Sequence, residues 1–195
     1  MRNHLEEIDL ALSGGAPRYV PLSFYDLIFP PGFDPAPFQA KGMAICARRS
    51  VWRKVTPRVK VLEVRERDGN IVPDMLGPER VRDLIAPCWN AFADQLHERG
   101  KKIGCHLDSN NKLILEVVNN SRLDFVEAFT PPPDCNVSVA EARQAWPDKK
   151  LWINFPSSVH LQSDDEIRRV TVEIIRQAGD RKGFLMGITE DVPRE

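Results

Sequence analysis

The residues best suited to chemistry lie in the stretch KKIGCHLDSNNKLI, from Lys101 to Ile114, where a short apolar run ends in polar residues. His106 and Asp108 are two residues apart, so on an extended backbone their side chains point to the same side. Polar groups at the carboxyl end of a strand form the reactive sites of many α/β proteins. The spacing therefore predicts a site at this strand end.

Other polar residues follow or interrupt the other apolar runs of the chain, and they complete the candidate site. Glu127 lies within the apolar sequence FVEAF, where a buried carboxylate must be paired or functional. One imidazole with two or three carboxylates can bind a divalent ion through nitrogen and oxygen. We therefore predict metal ligands at His106, Asp108 and Glu127, catalytic roles for these three and Glu190, and substrate-binding roles for Tyr25, Asn154 and Asp191.

Four of these residues also have a purely structural interpretation. His106 at a strand end can be satisfied by Asp108 or by backbone groups. Asp108, together with Ser109 and Asn110, is typical of the N-terminal cap of a following helix. Glu190 and Asp191 can be ordinary loop charges. The sequence leaves these alternatives open.

The elements that would position these residues form a regular series after Gly77. Strand candidates at 102–106, 124–129, 151–155 and 183–188 alternate with helix candidates at 112–120, 139–146 and 164–178. Ser163 followed by Glu166 predicts the start of the last helix. A helical span at 78–99 precedes them, with Pro87 as a break. Strands that alternate with helices indicate a parallel sheet with crossover connections, so the predicted class is α/β.

The first 76 residues have a different pattern. We predict a short helix over 5–12 ended by Gly14 and Gly15, a strand over 19–27, a proline-rich loop and a helix over 38–51. Asp68 and Gly69 indicate a β-hairpin formed by 59–66 and 70–73. The length of 195 residues suits one domain, in which 1–76 carries the first strand and the hairpin excursion and 77–195 carries the βα repeats.

Composition excludes several classes of function. A net charge of −1 provides no basic surface for nucleic acid or an anionic membrane. No apolar run is long enough to span a bilayer, and the N-terminus lacks the features of a signal peptide. The four cysteines are widely spaced, which favours reduced thiols in the cytoplasm over a disulfide framework.

Four segments resemble the uroporphyrinogen decarboxylase superfamily, which includes the haem-pathway decarboxylase and cobalamin-dependent methyltransferases. They are LHERGKKIGCHLDSN, LDFVEAFTPPP, KLWINFPSSVHL and GFLMGITEDVP, in the order of that family's C-terminal half, and RYVPLSFYD is similar to its first strand region. The resemblance implies a TIM-type (β/α)₈ barrel. A complete barrel needs roughly 250 residues, so the expectation is a partial, internally shortened barrel whose open edges a partner chain or a rearrangement covers.

The resemblance also implies what the site acts on. The methyltransferase branch uses a zinc site with an H-x-C strand, but Asp108 stands at the cysteine position here and 183–191 contains no cysteine. The decarboxylase branch uses an arginine-rich N-terminal motif that this chain lacks. We expect a divalent metal, with zinc as the preferred ion, and a small-molecule substrate that is a tetrapyrrole or a methyl donor. We also expect a homo-oligomer, with a corrinoid protein as a further partner. The expected function is metal-assisted methyl transfer or a lyase reaction; the alternatives are uroporphyrinogen decarboxylation proper, or a non-catalytic barrel fragment or partner subunit.

Overall fold

The computed structural model of the chain describes residues 4–25, 30–40, 43–46 and 73–188. The described helices are α1 (His4–Leu12), α2 (Ala36–Gln39), α3 (Pro73–Leu76), α4 (Pro78–Arg80), α5 (Ala86–His97), α6 (Leu115–Asn119), α7 (Val139–Ala145) and α8 (Asp164–Gln177). The strands are β1 (Leu22–Tyr25), β2 (Met43–Cys46), β3 (Gly104–His106), β4 (Phe125–Phe129), β5 (Lys150–Asn154) and β6 (Phe184–Ile188). A π-helical turn (Val81–Ile85) and 3₁₀ turns (Lys112–Ile114 and Ser157–Leu161) complete the described elements.

All six described strands form one parallel sheet in the order β2-β1-β6-β5-β4-β3. From β3 to β6 each strand pairs with the next along the chain, and β1 lies between β2 and the last strand β6. The predicted α/β class is therefore confirmed. The strands of the N-terminal region belong to the same sheet as the βα repeats.

Most predicted elements after Gly77 are present. The four later strands and the helices α6, α7 and α8 lie where the apolar runs predicted them. Ser163 caps α8 by accepting a hydrogen bond from the Glu166 backbone N–H. At α7 the cap is reciprocal, because the Glu141 carboxylate also accepts from the Ser138 backbone N–H.

The predicted helix over 38–51 is wrong at its centre. Residues Met43–Cys46 form β2, which pairs in parallel with β1, and α2 ends before it at Gln39. A short apolar run such as MAIC fits a buried strand as well as one helix turn, and pairing with β1 decides between them. The predicted hairpin over 59–73 falls almost wholly outside the described residues.

The predicted break at Pro87 is a local change of helix type. Pro87 lies in the first turn of α5, where a missing N–H is tolerated. The turn before it is π-helical, and the Ala86 N–H donates to the Val81 carbonyl. The chain thus passes Pro87 as two joined helical segments.

The hydrophobic core lies between one face of the sheet and the helices that follow the strands. Large, fully buried side chains from β4, β5, β6 and the residue after α7 meet there, among them Phe129, Ile153, Phe184 and Trp146. The Trp146 indole N–H donates to the Leu115 carbonyl at 2.8 Å, so its polar group is satisfied. Across the described ranges, no helix has both the length and the apolar character needed to cross a bilayer.

Candidate active site at the carboxyl end of the sheet

His106 and Glu127 face each other across two neighbouring strands. His106 is the last residue of β3 and pairs in register with Glu127 on β4, so the two side chains leave the same face of the sheet. His106 Nδ1 lies 2.5 Å from Glu127 Oε2. The carboxylate predicted to be paired or functional within FVEAF is thus in direct contact with the imidazole.

Asp108 closes the other side of the same ring. Its Oδ2 lies 3.2 Å from His106 Nε2, as the two-residue spacing predicted. Asp108 does not cap the following helical turn, whose N-terminal cap residue is Asn111. The two carboxylates therefore contact opposite nitrogens of one imidazole.

This arrangement fixes the charge of the cluster. The pKa of His106 is raised from 6.5 to about 10 by its hydrogen bonds to Asp108 and to Glu127, against the opposing effect of partial burial. Near neutral pH the ring is an imidazolium that donates from both nitrogens. It compensates one of the two carboxylates, so the cluster keeps one negative charge in a partly buried setting.

A bulge in β4 follows Glu127 directly. Glu127 pairs with Trp152, but Phe129 pairs with the next residue of β5, which leaves Ala128 as the extra residue. Ala128 has φ 53°, a left-handed conformation that costs free energy for any residue with a Cβ. Bulges of this kind change the direction of side chains beside functional sites.

Cys105 belongs to the opposite face of the sheet, because neighbouring residues of a strand alternate in direction and His106 follows it directly. It packs against the hydrophobic core, and burial raises the pKa of its thiol to about 12. A thiol with so little thiolate at neutral pH is a poor metal ligand or nucleophile.

Aromatic side chains lie beside the cluster on its own face. Trp152 is the register neighbour of Glu127 on β5, and its ring centroid is 6.4 Å from that of Phe125 on β4. A Cβ at Gly104 would lie 2.1 Å from the Phe125 ring, so the absence of a side chain at 104 is what admits this ring. The sheet therefore offers an aromatic surface next to a negative cluster.

The other predicted site residues differ in what the structure says of them. Asn154 is fully buried at the end of β5, with its amide 3.5 Å from Thr130 Oγ1. Tyr25 is the last residue of β1, so its backbone lies at the same edge of the sheet, whereas the structure describes only the backbone at this position. Glu190 and Asp191 also lie outside the described residues.

The donor set matches a metal ion only in part. Asp108 and Glu127 contact opposite ring nitrogens, so one ion cannot meet both carboxylates and the ring as they stand. Within 4–25, 30–40, 43–46 and 73–188, no group of three or more His, Cys, Asp and Glu side chains is arranged to hold an ion. Two ligands for one ion are suitably placed, His106 Nε2 and the Asp108 carboxylate. Glu127 accepts from the N–H on the other side of the ring, which is the usual arrangement of a metal-bound histidine.

Sequence reasoning missed three residues around this site, namely Thr130, Asn111 and Cys135. Thr130 is buried and adjoins Asn154. Asn111 and Cys135 hold the segment that carries Asp108. Only Thr130 gave a signal, as the first polar residue after β4.

Comparison with protein-family models, curated proteins and solved structures gives no match for this chain.

Proposed function

We propose that this chain is a shortened (β/α)-barrel enzyme of the uroporphyrinogen decarboxylase superfamily, with His106, Asp108 and Glu127 at its reaction centre. The strand order supports this proposal. In a closed barrel every strand adjoins its successor and the first strand adjoins the last. The described sheet follows that order, with β1 beside β6, and is open between β2 and β3.

The contact of one imidazole with two carboxylates carries the functional part of the proposal. A cluster that keeps one negative charge attracts a cation and repels an anionic group placed against it. This favours a metal-assisted reaction, either methyl transfer from a small methyl donor or a lyase step. It disfavours decarboxylation of a polyanionic tetrapyrrole, because such a substrate needs cationic side chains at this place.

His106 Nε2 and Asp108 are the residues that would hold a divalent ion, with zinc the expected metal. Glu127 accepts from Nδ1–H, which fixes the ring and its tautomer. When bound, such an ion supplies Lewis-acid polarisation of a donor heteroatom, or lowers the pKa of a water or thiol that it coordinates. For the ion to bind, His106 must lose its Nε2 proton, which in the metal-free chain forms the hydrogen bond to Asp108.

Further roles are proposed for residues outside this cluster. Trp152 and Phe125 form an apolar wall beside the cluster that excludes water from one side of a substrate. Asn154, Tyr25 and Asp191 are proposed to bind the substrate, and Glu190 to act as a further catalytic carboxylate. A corrinoid protein is the proposed partner for methyl transfer, and a homo-oligomer is the proposed assembly.

A second candidate function rests on the opening of the sheet. β2 and β3 are the two edge strands, and no pairing joins them within the described residues. Open edges invite pairing with another chain. The alternative is therefore a non-catalytic subunit whose barrel a partner completes.

Metal analysis of the purified full chain separates these functions. The enzyme proposal predicts about one divalent ion per chain, lost in His106→Ala and retained in His97→Ala. His97 is a suitable control because it also contacts a carboxylate, Asp124, at 2.8 Å, but at the opposite end of the sheet. Metal content near zero in the wild type after zinc supplementation, or equal content in all three proteins, contradicts the proposal.

A further inference from the structure

Three consecutive carbonyls just after β3 accept hydrogen bonds from side chains. The Asn111 amide donates to Leu107 O at 2.8 Å and to Ser109 O at 2.7 Å. The Cys135 thiol donates to Asp108 O at 3.2 Å. The Leu107 N–H in turn donates to Glu127 O at 2.9 Å. The segment 107–109 is thus held from several directions around Asp108.

Asn111 has an unusual environment for a residue at the start of a helical turn. It occupies the N-terminal cap position of the 3₁₀ turn Lys112–Ile114, but its side chain makes no capping hydrogen bond. The residue is fully buried, and its Oδ1 finds no hydrogen-bond partner among the residues that the structure describes. A buried, unsatisfied carbonyl oxygen opposes folding. Helix capping therefore does not account for Asn111, whereas the two bonds to the Asp108 segment do.

We propose that Asn111 is a positioning residue. It holds the backbone on both sides of Asp108, with additional support from Cys135, so that the Asp108 carboxylate contacts His106 Nε2. Glu127 needs no such support, because strand pairing of β3 with β4 already places it at Nδ1. The two halves of the cluster are therefore held by different means. Loss of Asn111 releases the Asp108 half and leaves the Glu127 half in place.

The functional meaning of this inference rests on the proposed metal-assisted chemistry, but its geometric claim does not. If His106 and Asp108 bind an ion together, a displaced Asp108 removes one ligand. Supporting residues outside the ligand shell commonly change metal affinity by about 10–100-fold. We expect Asn111→Ala to weaken zinc binding by about tenfold or more.

Proton NMR of the metal-free full chain with ¹⁵N-labelled histidine tests the geometric claim. The wild type should show two hydrogen-bonded His106 ring N–H resonances, one for each carboxylate. Asn111→Ala should remove or shift the Nε2–H resonance and keep the Nδ1–H resonance. Asn119→Ala, which truncates an exposed asparagine of α6, should keep both.

A second pair of variants keeps the test valid if Asn111→Ala does not fold. Cys135→Ala removes the donor to Asp108 O and should disturb the Nε2–H resonance, whereas Cys135→Ser retains a donor and should preserve it. Unchanged Nε2–H resonances in Asn111→Ala, or in Cys135→Ala, overturn the inference. The selective loss of Nε2–H together with the absence of zinc binding in every protein supports positioning and overturns the proposed function instead.

Discussion

Replacing Glu127 by glutamine should lower both the pKa of His106 and the stability of the fold. Glutamine has the size of glutamate but lacks its charge, and Glu127 Oε2 is 2.5 Å from His106 Nδ1. The pairing of β3 with β4 does not involve this side chain, so the backbone should be unchanged. Asp108 remains at Nε2 and should keep the pKa above 6.5.

The size of the effect follows from the contact. A negative charge at this distance raises the pKa of an imidazole by about 1–3 pH units. When the substitution removes that charge, the pKa of His106 should fall from about 10 to about 8. Each pH unit corresponds to about 1.4 kcal/mol. The His106 side chain is 32% exposed, and solvent screens the interaction. We therefore expect Glu127→Gln to lower the free energy of unfolding by about 1–2 kcal/mol.

The pH dependence has a definite sign. Because the folded-state pKa of His106 lies above 6.5, its stabilising contribution is complete below about pH 6.5 and is lost as the pH rises through about 10. The stability difference between the wild type and Glu127→Gln should therefore be largest near pH ~6 and vanish above pH ~10.5.

The assay is ¹⁵N-histidine NMR titration combined with urea unfolding at several pH values. The chain has four histidines, so His106 can be assigned from the spectrum of His106→Asn. Glu98→Gln, a change at an exposed carboxylate, should leave both the pKa of His106 and the free energy of unfolding unaltered. A wild-type His106 pKa near 6.5, or the same pKa in Glu127→Gln, would show that the Glu127 carboxylate does not stabilise the imidazolium.

Three further predictions concern the scaffold around the site. Ser138→Ala should destabilise the fold by about 1 kcal/mol, and by more than Ser163→Ala, because only the first removes a reciprocal cap; equal urea midpoints would contradict this. Gly104→Ala should lower the free energy of unfolding by about 1–3 kcal/mol, because the new Cβ would lie 2.1 Å from the Phe125 ring. Unchanged thermal stability would show instead that this ring moves aside freely. Cys105, with a pKa of about 12, should resist iodoacetamide in the native chain and react after unfolding, as peptide mass spectrometry would show; rapid native labelling would place it outside the core.

The later strands could be predicted because two signals agree in them. Each is an apolar run of strand length, and each ends near a residue that favours a turn or a helix start. The sequence also indicated that a carboxylate inside FVEAF needs a partner and placed Glu127 in one candidate site with His106, but it did not predict that the two side chains pair directly. Strand β2 was missed because its four residues have no periodicity of their own.

Other features of the site have no signal in a single sequence. The bulge at Ala128 depends on a left-handed conformation that alanine rarely adopts, and it coincides with the register shift between β4 and β5. The support from Cys135 depends on a loop after β4 that meets the end of β3 in space, 27 residues away along the chain. The bonds from Asn111 are local, but they depend on the conformation of the turn after β3, which a single sequence does not show.

Calorimetric titration of the metal-free full chain with zinc, repeated in buffers of different ionisation enthalpy, measures both the binding of the ion and the proton that it displaces. A cation site built on His106 and Asp108 should bind about one ion per chain and release about one proton per ion near neutral pH. His106 is protonated there, and Glu127 retains the proton on Nδ1 while the ion replaces the proton on Nε2. Binding without proton release, or equal binding by His106→Gln, would contradict a cation site built on His106 and Asp108.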